Sequence, residues 1–172
     1  DQYPEILPVD PDTGRTRGFG SRRHYDFSSA VYLRESLRIT EALAKRYGNH
    51  NGVVGWQTDN ELCCHDTALS GSDQAKEGFQ NWCRQRYSSI DRLNSDWGNV
   101  FWSMEITDFE QVELPNLTVT EPNPSHVLDF RRYASQQVTD FNAAQCEILR
   151  RHAPGRDLVY NFMGHFLEFD HF

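Results

Sequence analysis

The pattern of apolar positions and capping residues along the chain predicts four helices. In the first, Leu33, Leu37 and Ala44 recur mostly at the three-to-four-residue spacing of an amphipathic helix. In the second, Phe79 and Cys83 form an apolar inner stripe. Serine or asparagine stands at the start of each stretch, where its side chain can cap the first helical turn. The predicted helices span residues 30–47, 72–87, 88–97 and 123–152.

Two short apolar runs, Val53–Thr58 and Leu158–Met163, have the character of β-strands and are separated by the helices. Strands that are linked through helices imply a parallel sheet. Because two strands do not make a stable sheet by themselves, we expect a larger α/β fold around them. The most economical choice is a (β/α)8 TIM barrel, of which residues 1–172 would form an arc.

Polar side chains follow the first of these strands directly, as Asp59, Asn60 and Glu61. In parallel barrels the chemistry gathers at the carboxyl ends of the strands. A carboxyl group there, partly desolvated by Trp56, can have a raised pKa and donate a proton near neutral pH. Glycoside hydrolysis combines such an acid with a polar grip on the sugar. The three residues fit a turn followed by a helix cap equally well, so their spacing leaves both interpretations open.

Composition narrows the class of protein. The net charge is −8 and the sequence pI is about 5.3, which argues against binding to nucleic acid. No apolar stretch approaches the roughly 18 residues of a membrane helix. The four cysteines include no CxxC pair and form no disulfide scaffold, and we expect a cytoplasmic protein. The first residue is not Met and the chain begins in a loop-like stretch, so we expect a segment of a longer protein.

The stretch VVGWQTDNELCCHDT resembles the acid/base segment of glycoside hydrolase family 42, the bacterial β-galactosidases. Further similar motifs extend along nearly the whole chain, among them PEILPVD, GFGSRRHYDFSS, LNSDWGNVFWS and NFMGHFLEFDHF. The resemblance implies that residues 1–172 are a single segment of a glycosidase catalytic barrel, around its fourth and fifth strands with helical insertions. It implies hydrolysis of terminal β-D-galactosides with retention of configuration, and a homo-oligomer, in this family a trimer.

The resemblance also implies roles for individual residues. Glu61 would be the general acid/base, and Asn60 would bind the sugar at its 2-hydroxyl. Arg22 would reach into the galactose pocket, unless it forms a structural ion pair. Trp102 would help to wall a sugar site, its own or a neighbouring subunit's, unless it is a core tryptophan.

The chain departs from the family at a zinc site that some members carry. The four cysteines of that site are replaced here by Asp26, Ser70, Ser72 and Ala75, which offer no thiolate ligand. The consecutive residues 63–65, Cys-Cys-His, cannot easily converge on one tetrahedral ion. We therefore expect no metal and no cofactor.

The second carboxylate that a retaining glycosidase needs is a further departure. The family places this nucleophile on the seventh barrel strand, whereas this chain reaches only just past the fifth. Glu168 and Asp170 are late carboxylates outside the nucleophile motif, and no role is assigned to them. We expect the chain to be inactive by itself. Two alternatives remain: another barrel glycosidase, of the arabinosidase or fucosidase type, or a sugar-binding module without catalysis.

Overall fold

The computed structural model describes residues 3–20, 25–63 and 67–160. Within these residues, the chain forms four α-helices and a small parallel sheet of two strands. Single 3-10 turns lie at Pro4–Ile6, Asn99–Trp102 and Phe109–Gln111. The helices and strands, in chain order, are α1 (Ala30–Tyr47), β1 (Gly55–Gln57), α2 (Asp73–Tyr87), α3 (Ile90–Trp97), α4 (Pro124–His152) and β2 (Asp157–Val159).

The helix boundaries agree with the sequence prediction because capping side chains fix them. At each N-terminus a side-chain oxygen accepts a hydrogen bond from a backbone N–H of the first turn. Ser88, in the predicted start of the third helix, instead ends α2 in the left-handed conformation. The caps are Ser29 for α1, Ser72 for α2, Ser89 for α3 and Asn123 for α4.

The two strands pair in parallel, as their helical connection predicts, with Trp56 opposite Leu158. Each is shorter than predicted within the described residues. The N–H of Val53 bonds to the carbonyl of His50, so this part of the predicted strand is still in the preceding turn. Residues 161–163 of the second predicted strand lie outside the described part of the chain.

Two apolar clusters form the core, and α4 passes through both. The first cluster surrounds the fully buried Phe79 and joins α2, α3 and the first half of α4. The second cluster joins α4 to the segment that follows β1. Its buried members are Phe27, Leu62, Cys63, Ala68, Val138 and Phe141.

A close approach of α2 to α4 depends on Gly78. A Cβ atom at Gly78 would lie 2.1 Å from the hydroxyl oxygen of Tyr133. Nearby, the buried carboxylate of Asp129 accepts hydrogen bonds from Tyr87 and, at 2.9 Å, from the indole of Trp97. The first cluster is therefore held together by hydrogen bonds to the buried Asp129 as well as by apolar contacts. None of the helices in the described residues has the length and apolar character needed to cross a bilayer.

Candidate active site

The segment Asp59–Asn60–Glu61 begins two residues after the end of β1, at the carboxyl end of the sheet. One carboxylate oxygen of Asp59 accepts a hydrogen bond from the hydroxyl of Tyr25 at 3.1 Å. The other accepts from the backbone N–H of Asn60 at 2.7 Å. Asp59 therefore shapes the turn and ties it to the segment before α1.

Glu61 has a backbone conformation that residues other than glycine rarely adopt. Its φ is +53° and that of Cys63 is +71°, both in the left-handed region. Such conformations cost about 1–3 kcal/mol each, and they persist where neighbouring contacts hold them. Leu62, with 0% of its surface exposed, provides that hold by packing in the second cluster against Val138 and Phe141 of α4. The side chain of Glu61 itself is half-buried.

Asn60 is exposed, and a neighbour orients its amide. Gln57, the last residue of β1, donates from Nε2 to the carbonyl oxygen of Asp59 at 3.0 Å. The same nitrogen donates to Oδ1 of Asn60 at 3.3 Å. The Asn60 amide therefore has its oxygen turned towards Gln57.

A cavity of about 390 Å³ opens beside Asp59 and Asn60. Stacked rings form one wall. The ring centroid of Tyr32 lies 4.3 Å from that of Tyr25 and 5.3 Å from that of Phe141. Burial, with smaller contributions from the neighbouring Tyr25 and Asp59, raises the pKa of Tyr32 far above its usual range. This phenol therefore stays neutral at physiological pH. The wall is apolar and flat, which suits the face of a ring-shaped ligand.

The lining of the cavity also includes a buried amide N–H donor that has no acceptor in the part of the chain that the structure describes. Gln145 of α4 is 6% exposed, and among the described residues no acceptor bonds to its Nε2. Thr58, which also lines this cavity, donates from Oγ1 to Oδ1 of Asn142 at 2.7 Å. Sequence reasoning missed these contributions of α1 and α4, because only tertiary packing brings the two helices to the end of β1.

The structure places the remaining candidate residues separately. Arg22 lies outside the described residues. Trp102 lies in a 3-10 turn after α3, is 75% exposed, and is not among the residues that line the cavity. In this chain Trp102 is therefore not a core residue, and its role at a sugar site stays a prediction. Trp56, expected beside the carboxylate, lines a neighbouring cavity with Leu43 and Leu149.

The four residues that replace the family's zinc cysteines, Asp26, Ser70, Ser72 and Ala75, are linked to one another by hydrogen bonds. The hydroxyls of Ser70 and Ser72 each donate to Oδ2 of the buried Asp26 at 2.6 Å. The hydroxyl of Ser72 accepts from the N–H of Ala75 at 3.0 Å and so caps α2. The described residues contain no group of three or more potential metal ligands. Residues 64 and 65 lie outside them, and the absence of zinc stays a prediction.

Comparison with known proteins gives consistent matches along the whole chain. The profile of glycoside hydrolase family 42, described as "Beta-galactosidase", matches residues 1–172. A β-galactosidase of Thermus thermophilus is 55% identical over 172 residues, which are 100% of this chain and 26% of that protein. The β-galactosidase Bga of Halorubrum lacusprofundi is 41% identical over 166 residues, 96% of this chain and 24% of that protein. The chain thus spans about a quarter of the length of these relatives.

Among solved structures, a β-galactosidase from the psychrophilic Marinomonas ef1 superposes with a TM-score of 0.94 at 53% identity. The superposition covers 98% of this chain and 26% of that one. A polyextremophilic β-galactosidase from Halorubrum lacusprofundi gives a TM-score of 0.93 at 40% identity, over 98% of this chain and 25% of that one. These likenesses confirm the expected fold class, an α/β arc of a (β/α)8 barrel.

Proposed function

The chain belongs to glycoside hydrolase family 42, and we propose that it supplies the acid/base half of a retaining β-galactosidase active site. Residues 1–172 would be one segment of the catalytic barrel domain. The observation that carries the proposal is the strand end, where Glu61 is held in the left-handed conformation by its buried neighbour Leu62. Strain of this kind is concentrated at functional sites.

In the proposed reaction, Glu61 first acts as the acid. The bond between the anomeric carbon and the leaving oxygen breaks, and Glu61 gives its proton to that oxygen. A second carboxylate, roughly 5 Å away and outside this chain, bonds to the anomeric carbon. Water then attacks the anomeric carbon, the bond to the second carboxylate breaks and frees that carboxylate, and Glu61 takes a proton from the water as base; the two inversions retain the configuration.

The neighbouring residues position the substrate. The Asn60 amide, oriented by Gln57, would hold the sugar's 2-hydroxyl. Arg22 would bind galactose. The exposed Trp102 would wall a sugar site, and in a trimer that site could belong to another subunit. The complete protein would be cytoplasmic and would need no metal or cofactor.

The test is Glu61→Gln in the complete gene product, with Glu77→Gln on the exposed face of α2 as the matched control. Acid catalysis supplies about 10²–10⁴-fold, so the first step should slow by this factor on galactosides with poor leaving groups. Activated nitrophenyl galactosides, which need little protonation, should lose less in the same step. Equal losses on both classes with intact binding would remove Glu61 from the acid role.

The 172-residue chain alone should not turn over substrate, because one carboxylate cannot form the glycosyl-enzyme. Hydrolysis of nitrophenyl β-galactoside by the purified chain should stay at the buffer rate. Turnover that disappears in Glu61→Gln would mean that a local carboxylate, such as Glu168 or Asp170, completes the pair.

A panel of nitrophenyl glycosides tests the substrate assignment. The complete protein should prefer β-galactosides. A preference for arabinosides or fucosides would assign it to another barrel glycosidase, and no hydrolysis of any member would favour a sugar-binding module.

A further inference from the structure

A second cavity, larger than the one at the strand end, lies on the outer side of the molecule. It is an open groove of about 1110 Å³, bounded by the start of α1, by α2 and by the middle of α4. This volume lies slightly above the range of about 300–1,000 Å³ for small-molecule sites. The groove shares Phe141 with the lining of the strand-end cavity but neither Asn60 nor any other residue of the strand end.

The groove lies on the side of α4 that faces away from the sheet. Asn142 and Gln145 mark the sheet side, since Asn142 bonds to Thr58 and Gln145 borders the strand-end cavity. At about 100° per residue, Asp140 is turned roughly 200° from Asn142, and Gln136 roughly 180° from Gln145. Asp140 and Gln136 both line the groove. Further strands that extend the sheet would therefore not fill it.

The lining is rich in amide side chains that can both donate and accept hydrogen bonds. Gln136 donates from Nε2 to Asp140 at 2.8 Å, and within the described residues no group bonds to its Oε1. Gln85 is exposed and its side chain makes no hydrogen bond to the described residues. Sugar hydroxyls likewise donate and accept at once, so amides match them better than ions or apolar groups do.

An aromatic ring and balanced charges complete the groove. Trp82 is half-buried and its ring has two close neighbours: Phe79 stacks with it at 6.1 Å between ring centroids, and Cζ of Arg86 lies 5.1 Å from its centroid, so Trp82 offers the groove only a part of its ring. Arg132 also borders the groove and bonds to the buried Asp129 at 3.2 Å. The formal charges of Arg86 and Arg132 are offset by those of Asp129 and Asp140. A neutral ligand with many hydroxyls fits this chemistry.

We propose that the groove between α1, α2 and α4 is a second, non-catalytic saccharide site that binds a short neutral oligosaccharide. Amides of Gln85 and Gln136 would bond its hydroxyls, and the part of Trp82 that borders the groove would lie beside the bound sugar. The choice of galactosides among neutral saccharides rests on the proposed function; the location and the polarity of the site do not.

The experiment uses 5-fluorotryptophan-labelled complete protein that carries Glu61→Gln to prevent hydrolysis, titrated with β-1,4-galactotriose and followed by ¹⁹F NMR. A Trp82→Phe variant assigns the resonance of Trp82, and the signal of Trp97, 6% exposed, serves as the internal control. We expect the Trp82 signal to shift saturably and the Trp97 signal to stay. The double variant Gln85→Ala/Gln136→Ala should weaken this binding about tenfold, through the loss of two hydrogen bonds. Glu77→Ala/Glu147→Ala, on the same two helices but outside the groove, should leave it unchanged.

Each outcome separates the two proposals. No response of Trp82, or a response that the glutamine variants leave unchanged, overturns the groove site even where the protein hydrolyses galactosides. A response of Trp82 in a protein that hydrolyses no galactoside would keep the groove site and reject the proposed function. A structure of the complete protein with the groove filled by another part of the chain or by a second copy would also overturn it.

Discussion

The two sides of α4 differ in how completely they are packed. On the side of the first cluster, Phe79 is fully buried with Trp97 and Phe130 around it. On the sheet side, Ile39 is 51% exposed and Leu43 is 45% exposed. The same helix therefore packs in a finished core, the first cluster, whose apolar side chains are buried, and borders an unfinished one, whose apolar side chains are still half exposed.

Polar groups show the same contrast. In the first cluster, the buried Asp129 accepts hydrogen bonds from Tyr87, Trp97 and Arg132. On the sheet side, the buried Trp56 Nε1 and Gln145 Nε2 have no acceptor among the described residues. A buried donor without a partner costs about 1–3 kcal/mol. Helices can satisfy their own backbone and pack locally, whereas a sheet of two strands needs neighbours, and this explains which side is complete.

The largest expected effect comes from truncating the finished core. In the chain by itself, Phe79→Ala should lower the free energy of unfolding by about 3–5 kcal/mol, because it leaves a cavity among close-packed rings. Leu43→Ala should cost less than about 1 kcal/mol, since the side chain is already 45% exposed. Urea unfolding measures both, and Phe79→Leu keeps the comparison measurable if Phe79→Ala does not fold.

The variants Phe79→Ala and Leu43→Ala can also be measured in the complete gene product, where the sheet side of α4 has its full surroundings. If further strands cover the sheet side, Leu43→Ala should cost about 2–3 kcal/mol there, as in a closed core. An unchanged small cost would mean that this face stays open. Equal losses for Phe79→Ala and Leu43→Ala in the chain alone would contradict the difference between the two sides.

An intermediate effect is expected where α2 and α4 approach each other. Gly78→Ala would bring a methyl group to 2.1 Å from the hydroxyl oxygen of Tyr133, so either the Tyr133 ring or the two helices must shift. We expect a loss of about 1–3 kcal/mol in the free energy of unfolding. Gly18→Ala is the control, since no described atom lies within 4 Å of its added Cβ. A neutral Gly78→Ala would mean that Tyr133 moves aside without cost.

The smallest effect is a dependence on pH in the finished core. Burial between Phe79 and Trp97 lowers the pKa of His126, against the opposing effects of its bond to the Glu113 carbonyl and of the Asp129 charge. The unfolded side chain then binds its proton first as the pH falls. The free energy of unfolding should therefore decrease from about pH 6.5 downwards until the folded pKa is reached, by about 1.4 kcal/mol per unit of pKa difference.

Urea midpoints between pH 5 and 7.5 measure this effect in the wild type and in His126→Phe. Carboxylates common to both proteins contribute equally, so the difference between the two curves isolates the histidine. The variant should show the flatter curve. Parallel curves would mean that His126 is protonated equally easily in the folded and unfolded chains.

Helix boundaries could be predicted from the sequence because the interactions that set them are local. Ser29 caps the helix that begins one residue later, and Asn123 caps the helix that begins at Pro124. The lengths of the strands could not be predicted, since a strand extends only as far as a partner bonds to it. The apolar residues Leu43 and Tyr47 of α1 lie at helical spacing, yet the pattern does not reveal that both stay largely exposed in this chain.

At the site, the order Asp59, Asn60, Glu61 after a strand could be read from the sequence, and the resemblance predicted roles for Asn60 and Glu61. The left-handed turn at Glu61, the bond from Tyr25 to Asp59 and the cavity wall of Tyr32 and Phe141 could not. The difference comes from separation along the chain. Capping and turn formation act over a few residues, whereas these contacts join residues tens of positions apart that meet only when α1 and α4 pack around the end of β1.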